Sequence, residues 1–114
     1  MVCRIEPQIK SQIKIVNEDD HKIQFQFCQG KNYCSEKVFV ESGEDYQYET
    51  DKYDPNPVNC KAWFNGISVD PWDFKVWQMG DQSFRYIVRK NDAIYRSEID
   101  GSKEMVFIKF VFNG

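Results

Sequence analysis

The feature that most constrains this chain is an alternation of apolar and polar residues that recurs from residue 12 to residue 112. Residues 13–15, 23–27 and 72–76 show it clearly. Successive side chains of a β-strand point to opposite faces, so a period of two predicts strands with one dry face and one solvated face. No stretch shows the competing period of an amphipathic helix. The pattern therefore predicts an all-β protein.

Glycine, asparagine, aspartate and proline interrupt the apolar segments about every eight to twelve residues, a spacing typical of small sandwiches and barrels. Nine strands are predicted, near residues 12–17, 22–28, 36–41, 45–50, 59–64, 72–78, 84–90, 93–98 and 104–112. The last is apolar on both faces, which is typical of a strand in the middle of a sheet. We predict a single domain spanning residues 1–114, folded as an antiparallel β-sandwich of two sheets with about eight or nine strands.

The charge balance excludes one large class of partner. The chain has 15 basic and 18 acidic residues and a net charge of −3. Neither sign gathers into the basic stripe that a phosphate backbone requires, so we expect no nucleic-acid partner. No window approaches the roughly 20 apolar residues that span a bilayer, and no amphipathic helix is available to lie on one. We therefore expect no stable membrane insertion.

Four cysteines, Cys3, Cys28, Cys34 and Cys60, are an even number in a chain of this size. Such a count predicts two disulfide bonds and an oxidising compartment, so we expect a secreted, extracellular protein. Zinc binding and free thiols are the alternatives. The cysteines are separated by 24, 5 and 25 residues, which is not the paired Cys-x-x-Cys spacing of a zinc site.

The sequence offers no catalytic constellation. Gly-x-Ser-x-Gly and His-Glu-x-x-His motifs are absent. The one histidine, His21, follows Asp19 and Asp20 in a predicted turn, where a general base would still need a nucleophile held beside it. The aspartates of the central region match no calcium-binding loop. We expect neither an enzyme nor a cofactor or metal site.

Trp77 is a candidate contact residue. Strand parity puts Trp72, Phe74 and Val76 on one face and leaves Trp77 on the other face with Lys75. An outward tryptophan beside a loop can stack on a sugar ring or on a partner protein. The alternative is that an adjacent loop covers it.

The predicted loops are the other candidate binding elements, because binding residues usually lie on loops held by a rigid scaffold. The candidate residues in these loops are Asp19, Asp20, His21, Lys31, Asn32, Tyr33, Tyr53, Asp54, Asn56 and Asp70.

The order of several segments carries further information. The segments are the strand at 13–17, the strand ending in Cys28, the valine-rich strand and glycine at 38–43 with the aromatic strand behind them, the Cys60 that precedes Trp63 and Phe64, the strand at 74–77, and the closing strands at 86–88 and 94–95. This order resembles the plant self-incompatibility protein family, the small secreted stigmatic proteins and their homologues. The resemblance implies a sandwich of two antiparallel sheets, secretion, recognition by a cell-surface receptor through the loops, and no catalysis.

The chain departs from that family in its cysteines. Family members usually carry two more cysteines just before the aromatic-x-Val strand, where this chain has Asp81 and Phe84, whereas Cys3 and Cys34 are extra here. If disulfide cysteines are lost and gained in pairs, the resemblance favours Cys28 with Cys60 and Cys3 with Cys34, among three possible pairings.

These observations predict a secreted, non-enzymatic signalling or recognition protein that binds a cell-surface receptor through its loops. A carbohydrate-binding, lectin-like module that uses Trp77 and neighbouring aromatic residues to bind a glycan is the alternative. A membrane-active sandwich, suggested by the aromatic content of 16%, is a third class.

Overall fold

A computed structural model of the chain describes residues 10–63, 71–89, 93–99 and 103–109. These residues form ten strands and no helix, which confirms the all-β prediction. The strands are β1 (Lys10–Asn17), β2 (Ile23–Gln29), β3 (Tyr33–Cys34), β4 (Val38–Val40), β5 (Asp45–Asp51), β6 (Val58–Trp63), β7 (Trp72–Trp77), β8 (Phe84–Arg89), β9 (Ala93–Glu98) and β10 (Met105–Lys109).

The strands form two five-stranded sheets that pack face to face as a sandwich. Sheet A has the order β10-β9-β8-β1-β5, and sheet B has the order β3-β2-β6-β7. β4 also pairs with β2, along the residues that precede those paired with β3. Because β6 occupies the other side of β2, β3 and β4 together form one interrupted edge of sheet B.

Two parts of the sequence prediction are wrong. The described residues contain ten strands instead of the nine predicted, since the sequence did not predict the short β3. Sheet A is mixed, since β1 runs parallel to β8 from the pair Ile13 and Phe84 to the pair Asn17 and Val88. Alternation assigns a strand its buried face but not the direction of its neighbour, so it could not reveal this parallel pair.

The core lies between the two sheets and is built from the inward positions that alternation predicts. Ile13 and Ile15 of β1 and Phe25 and Phe27 of β2 are fully buried. The Phe27 ring of sheet B stacks on Tyr48 of sheet A, with 5.1 Å between ring centroids. A buried aromatic or aliphatic side chain of this kind contributes roughly 1.5–3 kcal/mol, so the inward faces of both sheets stabilise the fold.

Trp77 is buried, contrary to the expectation that it points outward. Val58 pairs with Trp77 and the next residue, Asn59, pairs with Lys75, which leaves Val76 as the extra residue of a β-bulge. The bulge interrupts the parity, and Val76 and Trp77 both face the core. Trp77 is 1% exposed, and its Nε1 donates to the carbonyl oxygen of Asp81 at 3.2 Å.

In the part of the chain that the structure describes, β10 is the outer strand of sheet A and not a central one as predicted, and it contains a second bulge. The register shifts between Val106 and Ile108. Val106 is 59% exposed, whereas Phe107 packs edge-on against Phe74 and Tyr86 at 6.2 and 5.1 Å between centroids. One of the two apolar faces of this strand is therefore exposed to solvent.

The disulfide pairing suggested by the family resemblance is wrong. Cys28 is bonded to Cys34, its direct partner across β2 and β3. Cys60 is a free, buried thiol that lies opposite Phe27 on the core side of sheet B, whereas Cys28 lies opposite Asn59 on the outer side. Cys28 and Cys60 therefore face away from each other and cannot bond. Cys3 lies outside the described residues, and its predicted partner Cys34 is already bonded.

Candidate binding groove

A groove lies on the outer side of sheet B, at the end where β2 turns into β3. It has a volume of about 900 Å³. We call it the hairpin groove, and its lining residues are Cys28, Gln29, Gly30, Lys31, Asn32, Tyr33, Cys34, Asn56, Pro57, Asn59, Lys61 and Asp73. The β2–β3 turn forms one wall, the loop at 52–57 forms another, and outward residues of β6 and β7 form the floor.

Gly30 allows the two walls to meet. Its φ is +67°, a conformation that residues with a side chain rarely adopt. A Cβ at this position would lie 3.2 Å from Cγ and Oδ1 of Asn56. The amide of Gly30 also donates to the carbonyl oxygen of Pro57 at 3.3 Å. Both the backbone conformation and the close packing of the loop therefore favour glycine at this position.

The loop at 52–57 is held by its own aspartates. Asp51 Oδ1 accepts from the amide of Tyr53 at 2.8 Å, and Asp54 Oδ1 accepts from the amide of Asn56 at 2.9 Å. Both are Asx turns, in which a side chain replaces a turn hydrogen bond. These carboxylates thus shape the wall of the groove.

Gln29 ties the groove to both sheets. Its Nε2 donates to Thr50 Oγ1 at 2.7 Å and to the carbonyl oxygen of Asn56 at 3.1 Å, and its Oε1 accepts from the Tyr48 hydroxyl at 2.8 Å. Thr50 and Tyr48 belong to sheet A, whereas Gln29 belongs to sheet B. One carboxamide therefore connects the hairpin, the loop and the opposite sheet.

The disulfide fixes the position of Tyr33. Cys28 and Cys34 cross-link β2 to β3 on the outer side of sheet B, and Tyr33 precedes Cys34 with 56% of its surface exposed. Tyr33 also lies close enough to Tyr48 to influence the pKa of the Tyr48 hydroxyl. The pKa of Tyr48 is raised mainly by burial, with smaller contributions from Tyr33 and Asp54.

The floor of the groove carries mixed charge. Asn59 Nδ2 donates to Asp73 Oδ1 at 3.2 Å, and Lys61 lies beside them on β6. Lys31 supplies a second cation from the turn. Amide groups, an exposed phenol ring, two ammonium groups and one carboxylate are suited to hydrogen bonding with a polar partner.

The structure brings together some of the residues predicted for binding and separates others. Lys31, Asn32, Tyr33 and Asn56 line the hairpin groove. Tyr53, 62% exposed, and Asp54 belong to the loop that forms its wall. Asp19, Asp20 and His21 lie at the opposite end of the sandwich, Trp77 is in the core, and Asp70 lies outside the described residues.

The His21 turn is organised by the buried Asn17. Asn17 Nδ2 donates to the carbonyl oxygens of His21 at 2.9 Å and Val40 at 2.8 Å, and its Oδ1 accepts from the Asp19 amide at 2.9 Å. Asp19 Oδ2 lies 3.6 Å from His21 Nδ1. This end of the molecule is a well-bonded turn that is remote from the groove.

Sequence reasoning missed the floor of the groove. Asn59, Lys61 and Asp73 sit at outward positions of predicted strands and were not among the candidate binding residues. Their alternation with Cys60, Ala62 and Phe74 was a usable signal for the outer face. Only the pairing of β6 with β2 and β7, which the sequence did not give, places them under the hairpin.

Within the described ranges, no group of three or more histidine, cysteine, aspartate or glutamate side chains is placed to hold a metal ion. None of the elements described there is a helix long and apolar enough to cross a membrane. No protein-family model matches the chain, and comparison with curated proteins finds no significant match.

Proposed function

We propose that this protein is a secreted, non-enzymatic recognition protein that binds a cell-surface protein through the hairpin groove. The observation that carries the proposal is the convergence of Lys31, Asn32, Tyr33 and Asn56 around one cavity of about 900 Å³. Exposed tyrosine and well-placed polar side chains on a rigid frame are common in protein interfaces. The His21 turn lies at the other end and is not part of the proposed contact.

The extracellular part of the proposal is supported by the Cys28–Cys34 bond. Stable disulfides are rare in reducing compartments and common in small secreted domains. A groove whose wall depends on a disulfide is suited to an oxidising environment.

Distant membership of the plant self-incompatibility protein family is part of the same proposal. Its support is the order of the strands and aromatic segments along the chain, from the strand at 13–17 to the strand at 94–95. The cysteines give it no support, because Cys28 is bonded to Cys34.

Carbohydrate binding is the second candidate function, and a specific observation favours it. The carboxamides of Asn32, Asn56 and Asn59 line the same groove as the exposed ring of Tyr33. Planar amides that hydrogen-bond hydroxyl groups, next to an aromatic face, suit a sugar. This version of the hypothesis rests on Tyr33, since Trp77 is buried.

The test is binding of the fluorescently labelled full chain to a panel of cell types, measured by flow cytometry. Tyr33→Ala and Lys31→Ala should each lower saturable binding by about tenfold or more if they are central contacts. His21→Ala, an exposed substitution at the opposite end, is the matched control and should bind like the unmodified protein.

Enzymatic treatment of the cells separates the two candidates. Loss of binding after surface proteolysis but not after glycan removal supports a protein receptor, and the reverse result supports a carbohydrate. Binding that is saturable but equally strong in all three variants would contradict a role for the groove.

A further inference from the structure

A second cavity lies between the two sheets, at the side of the sandwich where β7 faces β9 and β10. It has a volume of about 550 Å³. We call it the arginine cleft, because its walls include Lys75 and Val76 from sheet B and Phe84, Arg96 and Phe107 from sheet A. It is separate from the hairpin groove and shares no lining residue with it.

Arg96 occupies an inward position of β9, which is unusual for a charged side chain in a sandwich. It pairs with Tyr86 across β8 and β9, on the core side of sheet A. Its guanidinium carbon lies 4.5 Å from the ring centroid of Phe84 and 5.2 Å from that of Phe107. The two rings hold the guanidinium in place through cation–π contacts.

Among the residues that the structure describes, Arg96 has no carboxylate within 4 Å. The other two arginines of sheet A differ in this respect. Arg89 contacts Glu18 at 3.0 Å and Glu104 at 3.3 Å, and Arg85 lies 3.9 Å from Glu104. The polar neighbour of Arg96 is instead the hydroxyl of Tyr86, a neutral group, and the charge of Arg96 partly offsets the rise in the pKa of Tyr86 that burial causes.

The other polar groups of the cleft are already paired. Asp81 Oδ2 accepts from the amide of Gln78 at 3.0 Å, and Lys75 Nζ donates to Gln78 Oε1 at 3.0 Å. Asp81 is the one carboxylate among the lining residues, but it does not lie within 4 Å of the Arg96 guanidinium. A half-buried guanidinium without a contacting carboxylate bears a desolvation cost that a bound anion would offset. The planar fork of a guanidinium matches a carboxylate, which accepts two parallel hydrogen bonds.

We propose that the arginine cleft binds a small organic carboxylate. The carboxylate pairs with the free N–H groups of Arg96, and the apolar part of the molecule lies against Val76 and the ring of Phe84. Lys75 adds a second positive charge to the cleft. This site is independent of the proposed receptor function, so either proposal can fail alone.

The experiment is a titration of the isotopically labelled full chain with benzoate, followed by NMR through the backbone amides and the arginine Nε–H signals. Saturable shifts are expected at the Nε–H of Arg96 and at the amides of Val76 and Phe84. Benzamide, a neutral molecule of the same shape, should produce no comparable shift. Equal binding of benzoate and benzamide would overturn the proposal, as would benzoate shifts that do not saturate.

Variants locate the site. Arg96→Gln should weaken benzoate binding by about tenfold or more, and Arg96→Lys by a smaller factor, because lysine keeps the charge but loses the fork. Arg85→Gln removes an arginine from the outer side of the same sheet and should change the affinity less than about twofold. An equal loss in Arg85→Gln and Arg96→Gln would show a general charge effect and overturn the assignment.

Inorganic phosphate and acetate complete the comparison. Acetate should bind more weakly than benzoate because it lacks the apolar body that the cleft accommodates. Phosphate binding as tight as that of benzoate would contradict the choice of an organic carboxylate. Circular dichroism of each variant confirms the fold, and the Arg96 Nε–H shift in the unmodified protein tests the proposal even if Arg96→Gln does not fold.

Discussion

At the scale of single residues, two buried ionisable side chains make the sandwich sensitive to alkaline pH. Burial, reinforced by Asp73, raises the pKa of the Cys60 thiol above its ordinary value of 9.0. Burial also raises the pKa of Tyr86 from 10.0 to about 12, although the hydrogen bond and charge of Arg96 partly offset the effect. Tyr86 donates its hydroxyl hydrogen to the carbonyl oxygen of Val76, which requires the protonated form.

We therefore expect the free energy of unfolding to fall as the pH rises above 9. The unfolded chain releases these two protons at lower pH than the folded chain, so the stabilisation is complete below pH 9 and is lost toward pH 12. The loss from Tyr86 is at most about 3 kcal/mol. Urea unfolding at several pH values between 7 and 11 measures it.

The controls for this prediction are Cys60→Ala and Tyr86→Phe, each of which removes one of the titrating groups. Each should flatten part of the pH dependence even though it lowers stability at neutral pH. An identical slope in both variants and in the unmodified protein would show that other groups are responsible.

The position of Cys60 in the core could have been predicted from the sequence alone. It shares its face of β6 with Val58 and Ala62, both buried, so parity alone predicts an inward thiol. Cys28 follows Phe27, an inward residue, and must face outward. The even cysteine count and the family resemblance suggested a bond between residues whose side chains lie on opposite sides of one sheet.

At the scale of the elements, bulges decide which large side chains enter the core. Parity across residues 72–77 predicted an outward Trp77, and the extra residue Val76 turns it inward. The Phe107 bulge acts in the same way in β10. An alternating pattern predicts a regular strand well, but an inserted residue leaves the pattern of the sequence unchanged while it changes the face of every residue beyond it.

Trp77→Ala should lower the free energy of unfolding by about 3–5 kcal/mol, because it empties a large buried volume and removes the hydrogen bond to Asp81. Chemical denaturation measures the loss. Lys75→Ala on the same strand is exposed and should stay within about 0.5 kcal/mol of the unmodified protein. Similar effects from the two substitutions would contradict the inward position of Trp77.

The β2–β3 hairpin is the second element with a measurable contribution. The disulfide closes a loop with a sequence separation of 6, so loop-closure entropy predicts a stabilisation of about 2 kcal/mol. The double substitution Cys28→Ala with Cys34→Ala should lower the unfolding free energy by that amount and increase amide exchange from residue 30 to residue 34.

The same double variant should leave exchange in β1 and β8 unchanged at a denaturant concentration matched for stability, because the turn and β3 contribute no residue to the core. Cys60→Ala serves as the cysteine control and should not alter exchange in the hairpin. Unchanged hairpin exchange in the double variant would contradict a structural role for the bond.

At the scale of the whole molecule, the sandwich is closed by contacts between distant parts of the chain. The parallel pairing of β1 with β8 includes a bond from the Gln12 amide to Ser83 Oγ, which joins residues 71 positions apart. Pairing of strands that are distant in sequence costs loop-closure entropy before the stabilising contacts form, so all-β domains fold slowly. We expect refolding in milliseconds to seconds, as measured by stopped-flow tryptophan fluorescence.

A folding rate in the microsecond range would contradict that expectation. Ile15→Ala, in the centre of β1, should destabilise the protein by about 2–5 kcal/mol, because it removes part of a fully buried side chain. Lys14→Ala, at the neighbouring outward position, is the control.

The arrangement of the ends also belongs to this scale, and the sequence could not supply it. The loops at residues 29–35 and 53–57 both contain residues that were predicted as candidate contacts, and the fold brings these loops together through Gly30 and Asn56. The turn that contains His21 has the same polar composition yet lies at the other end. Composition identifies a loop, whereas strand direction and sheet order decide which loops are neighbours.

The disulfide between Cys28 and Cys34 makes the structure of the hairpin groove depend on the redox conditions around the protein. In a reducing compartment Cys28 and Cys34 would remain free thiols. The core could still fold, but no covalent bond would hold the wall of the groove. If the protein is secreted as proposed, the hairpin groove would therefore reach its cross-linked form only in an oxidising compartment, after the core has folded.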